Sequence, residues 1–140
     1  MALLSESRIY NDLLDLSVKV FEVSRTIPKD YRMSIGRRME ESVLEIGDHL
    51  LLANNAEGEE CVRHHRLAMA AYERLQFIVN IGARTTVCMT DRGAVKGVSI
   101  RQQAQLAAMM TGIGRQMTGL RKYAEKKLRA RNNGSVMPTG

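Results

Sequence analysis

The sequence predicts an all-α protein, an antiparallel four-helix bundle. Two observations carry that prediction. Apolar residues recur at alternating steps of three and four along four long stretches, the repeat that gathers side chains on one helix face. Mostly short breaks containing Pro, Gly or Asn separate the stretches, so consecutive helices must fold back on one another. The 140 residues suit one domain, and a hydrophobic fraction of 44% is enough to build a core.

The first helix is expected over residues 5–26, where Ile9, Leu13, Leu16, Val20, Val23 and Ile27 form an unbroken seam. Tyr10, Leu14 and Phe21 flank that seam and widen the apolar face. The extra width serves either a second neighbour in the same bundle or another subunit. Pro28 biases Ile27 away from helix, and Asp30 is the expected cap of a second helix from Tyr31 to Ala53. Its inward line is Ile35, Met39, Val43, Ile46, Leu50 and Ala53.

Asn54-Asn55-Ala56-Glu57-Gly58 reads as a turn, after which Glu59 and Glu60 suit the positive end of a third helix dipole. Cys61, His64, Ala68, Ala71, Leu75, Ile78 and Gly82 form its expected inward line. Residues 85–98 are the longest connector, compatible with a plain loop or a short hairpin. Ser99-Ile100-Arg101-Gln102 is a capping box that starts the fourth helix. Leu106, Met110, Ile113, Met117, Leu120 and Ala124 face its core side, and Asn132-Asn133-Gly134 is the expected stop after Arg131. The domain is thus expected over 1–131, with Glu125–Arg131 projecting past the bundle and a disordered tail over 132–140.

Charge is distributed unevenly. Residues 1–70 hold nine Lys and Arg against twelve Asp and Glu, whereas residues 71–140 hold twelve against three. Six of the eleven residues from Arg121 to Arg131 are basic, and Glu125 is the single acid among them. Arg115, Lys122, Lys126 and Arg129 fall on one side of the fourth helix, opposite its core line. One or two cations would satisfy the helix dipole; a stripe of this length points to a polyanion, to which phosphate contacts add sequence-independent affinity. The expected nucleic-acid-binding set is Arg84, Arg115, Arg121, Lys122, Lys126, Lys127, Arg129 and Arg131. An anionic membrane is disfavoured, because this helix end lacks Trp or Phe to insert.

Other chemistries find little support. Neither His49, His64 nor His65 has the Glu-x-x-His spacing of a di-iron bundle, so no metal or other cofactor is expected. No phosphate loop or nucleophile elbow is present, and no enzyme activity is expected. Cys61 and Cys88 have no metal-binding spacing, and Met1-Ala2-Leu3-Leu4 is too short for a secretory core, so a cytoplasmic protein is expected. Gly112, Gly114 and Gly119 each cost the fourth helix about 0.5–1 kcal/mol relative to Ala, which implies close approach of another helix.

Ser99-x-x-Gln102, Ile113-Gly114-Arg115-x-Met117-x-Gly119, Arg74-Leu75-x-Phe77 and Ile27-Pro28-Lys29 occur in an order that resembles a family of small four-helix bundles. That family includes the accessory variability determinant proteins of diversity-generating retroelements and the proteins encoded in ribosomal-RNA intervening sequences. The resemblance spans roughly residues 5–125. It implies a homopentameric barrel that binds a reverse transcriptase and its template RNA or cDNA and supports mutagenic reverse transcription without catalysis of its own. The alternative it carries is an intervening-sequence-type bundle with a nucleic-acid-binding or purely structural role and no polymerase partner. The family's glycine-arginine motif maps to Gly114, Arg115 and Gly119. Leu120 stands where relatives often have an aromatic, and Gln76 and Asn80 where they have basic residues, so the cationic surface is expected to have moved toward Arg84, Arg115 and the chain's end.

Overall fold

The computed structural model describes residues 7–136. It is mostly helical, with four long helices and one β-hairpin. Helix α1 spans Arg8–Thr26 and opens at Ser7, whose side chain accepts from the Tyr10 amide. Residues 5 and 6 of the expected first helix lie outside the described residues. Helix α2 comprises three contiguous stretches: Lys29–Tyr31, a π-helical turn Arg32–Gly36, and Arg37–Asn54. Helix α3 spans Gly58–Arg84, strands β1 and β2 span Thr86–Thr90 and Gly93–Lys96, and helix α4 spans Ile100–Val136.

The expected cap of α2 is not used: Pro28 precedes the helix and Asp30 sits within its first turn. Arg32 ties the α1–α2 corner instead. Its Nε donates to the Ile27 carbonyl at 3.2 Å and its Nη2 to the Arg25 carbonyl at 3.1 Å, satisfying groups that the end of α1 leaves free. The π turn ends on Ile35 and Gly36, both buried, and a Cβ at Gly36 would lie 2.5 Å from Ser24 Oγ of α1.

Side-chain pairs show that neighbouring helices run antiparallel around a closed ring. Between α1 and α4, Gln116 Nε2 donates to Asp12 at 2.7 Å and Gln102 Nε2 to Thr26 at 3.1 Å. Between α2 and α3, Arg74 meets Glu45 and His49 meets His64. Between α3 and α4, Gln103 Nε2 donates to Asn80 at 3.0 Å and Arg66 pairs with Glu125 at 3.5 Å. Leu16, Val20, Met39, Ile46, Leu75, Leu106, Ile113 and Met117 fill the space between the helices with essentially no exposure.

The seams of α1 and α2 are buried as expected, but α3 and α4 depart from expectation. On α3, Cys61 and Ile78 are half-buried, whereas Val62, Tyr72 and Val79 are buried. A helix held between two partners buries a wider face than one line of residues, and α3 packs on both α2 and α4. On α4 the buried line stops at Met117; Leu120 is 38% exposed and Ala124 half-buried. The helix also passes its expected stop at Arg131 and continues through Asn132, Asn133 and Gly134 to Val136. Residues 132–136 of the expected disordered tail are therefore helical, and 137–140 lie outside the described residues. Asn and Gly favour helix ends but do not impose them when the hydrogen-bond ladder is already running.

The connector between α3 and α4 forms a hairpin. Thr90 pairs with Gly93 across Asp91 and Arg92, and Gly93 adopts φ +110°, which a side chain would strain. Its base returns to the bundle where the Val98 amide donates to the Gly82 carbonyl at 3.0 Å. The expected capping box then opens α4 with both reciprocal bonds: the Ser99 amide to Gln102 Oε1 at 2.9 Å, and the Gln102 amide to Ser99 Oγ at 3.0 Å.

Among the three α4 glycines, Gly114 alone serves packing within the chain. Tyr72 OH donates to the Met110 carbonyl at 2.7 Å, and a Cβ at Gly114 would lie 2.6 Å from that hydroxyl. Nothing lies within 4 Å of a Cβ built at Gly112 or Gly119. Gly114→Ala is therefore expected to destabilise the fold by about 1–3 kcal/mol through displacement of the buried phenol. Gly112→Ala and Gly119→Ala are expected to stabilise it by about 0.5–1 kcal/mol each through helix propensity. Urea-unfolding midpoints separate the three; a loss at Gly112 or Gly119 would place another chain against them.

Candidate nucleic-acid interface

Because α1 has 19 residues and α4 has 37, α1 covers only the first part of α4. Residue Gln116 lies against Asp12, near the beginning of α1. Beyond that level, among the described residues, α4 continues beside α3 and the turn that precedes it. This explains why its buried line ends at Met117 while the helix continues.

The segment Glu125–Arg131 does not project freely past the bundle as expected. Glu125 accepts from Arg121 Nη1 at 2.9 Å and pairs with Arg66 of α3 at 3.5 Å. Farther on, the Arg131 guanidinium lies 3.1 Å from a Cβ built at Gly58, at the start of α3. Ala124, Lys127, Leu128 and Arg131 line one side of a cleft of about 440 Å³, with Gly58 and Cys61 opposite. The basic segment is thus seated against α3 through one turn after another.

Glu125 has its carboxyl held below the ordinary carboxylate range, chiefly by the Arg121 hydrogen bond and further by Arg66. Arg121 is accordingly half-buried and engaged. Arg115, Lys122, Lys126 and Arg129 are exposed, and among the described residues none of them forms an ion pair. Fourteen residues separate Arg115 from Arg129, a span of about 21 Å along the helix. Lys127 faces the cleft, close enough to Cys61 to act on its thiol. Arg84 is exposed but lies at the far end of α3 beside the hairpin, away from the basic end of α4. The structure therefore places Arg115, Lys122, Lys126 and Arg129 together on one side of α4, puts Lys127 and Arg131 at the cleft with α3, assigns Arg121 to an internal pair, and leaves Arg84 apart.

The expected packing residues also separate into groups. Tyr10 and Leu14 line a shallow apolar groove with Leu44 and Leu51 of α2, and Leu14 is 47% exposed. Phe21 is half-buried and does not line that groove. Arg74 and Phe77, from the family-like motif, stand on the outer α2–α3 surface, with Phe77 66% exposed and Arg74 paired with Glu45. No described helix is long and apolar enough to cross a membrane.

Sequence reasoning missed one cluster. His49 of α2 and His64 of α3 stack with ring centroids 5.4 Å apart and Nδ1 atoms 3.2 Å apart, and His64 Nε2 lies 3.1 Å from Glu60. The Glu60–His64 spacing of four was visible in the sequence, but only the fold supplies His49. Glu45, four residues before His49, turns instead to Arg74. His65 next to this pair has a buried Nδ1 with no hydrogen-bond partner. Burial, and to a smaller degree His64, pushes the His65 pKa down.

Two predictions follow from these groups. As pH falls below about 6.5, an unfolded His65 takes up a proton before the folded one does. Stability is therefore lost between the unfolded value and the lower folded value, and does not fall further from this group below it. His65→Gln should remove that slope from thermal melts recorded between neutral and mildly acidic pH. Glu125→Gln should free Arg121 and Arg66 and strengthen binding to a short RNA duplex at low salt, measured by fluorescence anisotropy; unchanged affinity would place both arginines outside the interface.

Comparison with protein-family models, with curated proteins and with solved structures finds no match to this chain.

Proposed function

We propose that this protein is a non-catalytic nucleic-acid-binding bundle that acts as an accessory factor of a diversity-generating retroelement. In this reading it holds a reverse transcriptase and its template RNA or cDNA during mutagenic copying. The observation that carries the nucleic-acid part is the exposed line of Arg115, Lys122, Lys126 and Arg129 on α4, none of which forms an ion pair among the described residues. Cations without protein partners keep their full charge for phosphate, whereas Arg121 is already committed to Glu125. The line is straight because the helix is continuous from Ile100 to Val136. At 3.4 Å per nucleotide along one strand, its span of about 21 Å matches on the order of six phosphates.

The polymerase partnership rests on the family resemblance carried by Ser99-x-x-Gln102, Gly114-Arg115 and Arg74-x-x-Phe77. Two of those elements have physical roles in the fold: Ser99 and Gln102 start α4, and Gly114 admits the Tyr72 phenol. Self-assembly, with five subunits as the family implies, would use the apolar groove at Tyr10, Leu14, Leu44 and Leu51, which a lone chain leaves open to water.

The nucleic-acid reading is tested by titration with template-like RNA at several salt concentrations. Four phosphate contacts give a logarithmic salt slope of about −3 to −4, and a flat dependence would sink the proposal. Joint replacement of Lys122, Lys126, Lys127 and Arg129 by Ala should weaken binding to all sequences alike and flatten the slope. Co-expression with the reverse transcriptase of the same element should yield a complex on purification; recovery of the bundle alone would leave the intervening-sequence alternative, without a polymerase.

A further inference from the structure

The two stacked histidines are unrelated to the basic face. They lie fifteen residues apart in sequence, on facing helices. His64 is buried, at 8% exposure, while His49 is half-buried and opens toward solvent. Their Nδ1 atoms face each other at 3.2 Å. Two zinc–nitrogen bonds of about 2.0–2.1 Å at a tetrahedral angle hold their nitrogens about 3.3–3.4 Å apart. The observed separation is close to that edge.

The far side of His64 strengthens the match. Its Nε2 lies 3.1 Å from a Glu60 carboxylate oxygen, and Arg63 forms an ion pair with the same carboxylate. A carboxylate at Nε2 places the proton there and leaves Nδ1 with its lone pair, the tautomer a metal-binding imidazole needs. In the complementary tautomer His49 can donate its own Nδ1 proton to that lone pair. We propose that His49 and His64 are the two protein ligands of a site for a divalent transition cation of the zinc class, with Glu60 orienting His64 from behind.

Binding requires one rearrangement. The His49 proton moves through solvent from Nδ1 to Nε2, so both imidazoles stay neutral, and a modest rotation of His49 aims its lone pair at the ion. Among the described residues no group of three or more His, Cys, Asp or Glu side chains is arranged to hold a metal. Water therefore completes the coordination, and affinity is moderate compared with a four-ligand structural site. The cation would join α2 to α3 directly, so its binding energy would add to the stability of that helix pair.

The test uses the full chain, purified with chelator and then titrated with Zn²⁺ or Ni²⁺ by calorimetry at slightly alkaline pH, with thermal melts in parallel. One equivalent should bind with micromolar affinity, raise the melting temperature, and be released by chelator. His49→Gln and His64→Gln should each abolish the shift; Gln keeps a hydrogen-bonding group beside the remaining ring, and the more exposed position 49 covers the case in which the buried His64 variant does not fold. Glu60→Gln should weaken binding by about 10–100-fold, and His65→Gln should leave it unchanged. No heat or melting shift at millimolar cation, full binding by His49→Gln, or loss on replacing Cys61 or His65 instead would overturn the site.

Discussion

A helix rises about 1.5 Å per residue, so α1 extends about 28 Å and α4 about 55 Å. Four helices so unequal cannot share one core along their whole lengths. The ring of α1, α2, α3 and α4 closes around Leu16, Met39, Leu75 and Ile113, where every helix is present. Past Met117, among the described residues, α1 no longer accompanies α4, and Leu120 and Ala124 on the core line are not buried. Leu120 is exposed for this reason, and the composition of α4 changes from apolar to basic at the same level.

What remains beside the second half of α4 is α3, and the two helices are joined by different chemistry along their length. In the covered part the joint is a buried phenol: Tyr72 bonds the Met110 carbonyl in space that Gly114 leaves open. In the uncovered part it is a carboxylate, Glu125, shared between Arg121 and Arg66. Exposed ion pairs contribute little stability by themselves. Their arrangement still has a consequence: Glu125 stands three residues after Lys122 and four before Arg129, but its carboxylate is engaged by Arg121 and Arg66, so among the described residues the cations of the stripe form no ion pair. Like charges along one helix repel, and a bound polyanion would relieve that repulsion. The proposed nucleic-acid interface is therefore a property of where the core ends as much as of how many lysines the segment contains.

The candidate interface was legible in the sequence to the extent that helical periodicity decides it. Arg115, Lys122, Lys126 and Arg129 share a side because of their spacing, and any helix through them would expose that side if the other were buried. Periodicity could not tell Arg121 from its neighbours, since its engagement depends on Glu125 and on α3 lying alongside. It also could not pair His49 with His64, because residues on separate helices meet only through the register of α2 against α3. The same limit applies to Tyr72, whose hydrogen bond depends on the Met110 carbonyl that α4 supplies.

The sequence by itself determined the helices, their order and most of their inward faces, because capping chemistry and the spacing of apolar residues act over a few neighbours along the chain. It determined the Ser99–Gln102 start of α4, and the seams of α1 and α2 residue by residue. Tertiary structure decided what depends on partners distant in sequence. It decided that α2 contains a π turn whose last two residues, Ile35 and Gly36, are buried, and that residues 85–98 form a hairpin anchored at Gly82. The core line of α4 stops at Met117 while the helix runs on to Val136, a result that neither half of α4 encodes alone. Burial needs a neighbour, whereas a helix needs only its own hydrogen-bond ladder, and the two end at different residues.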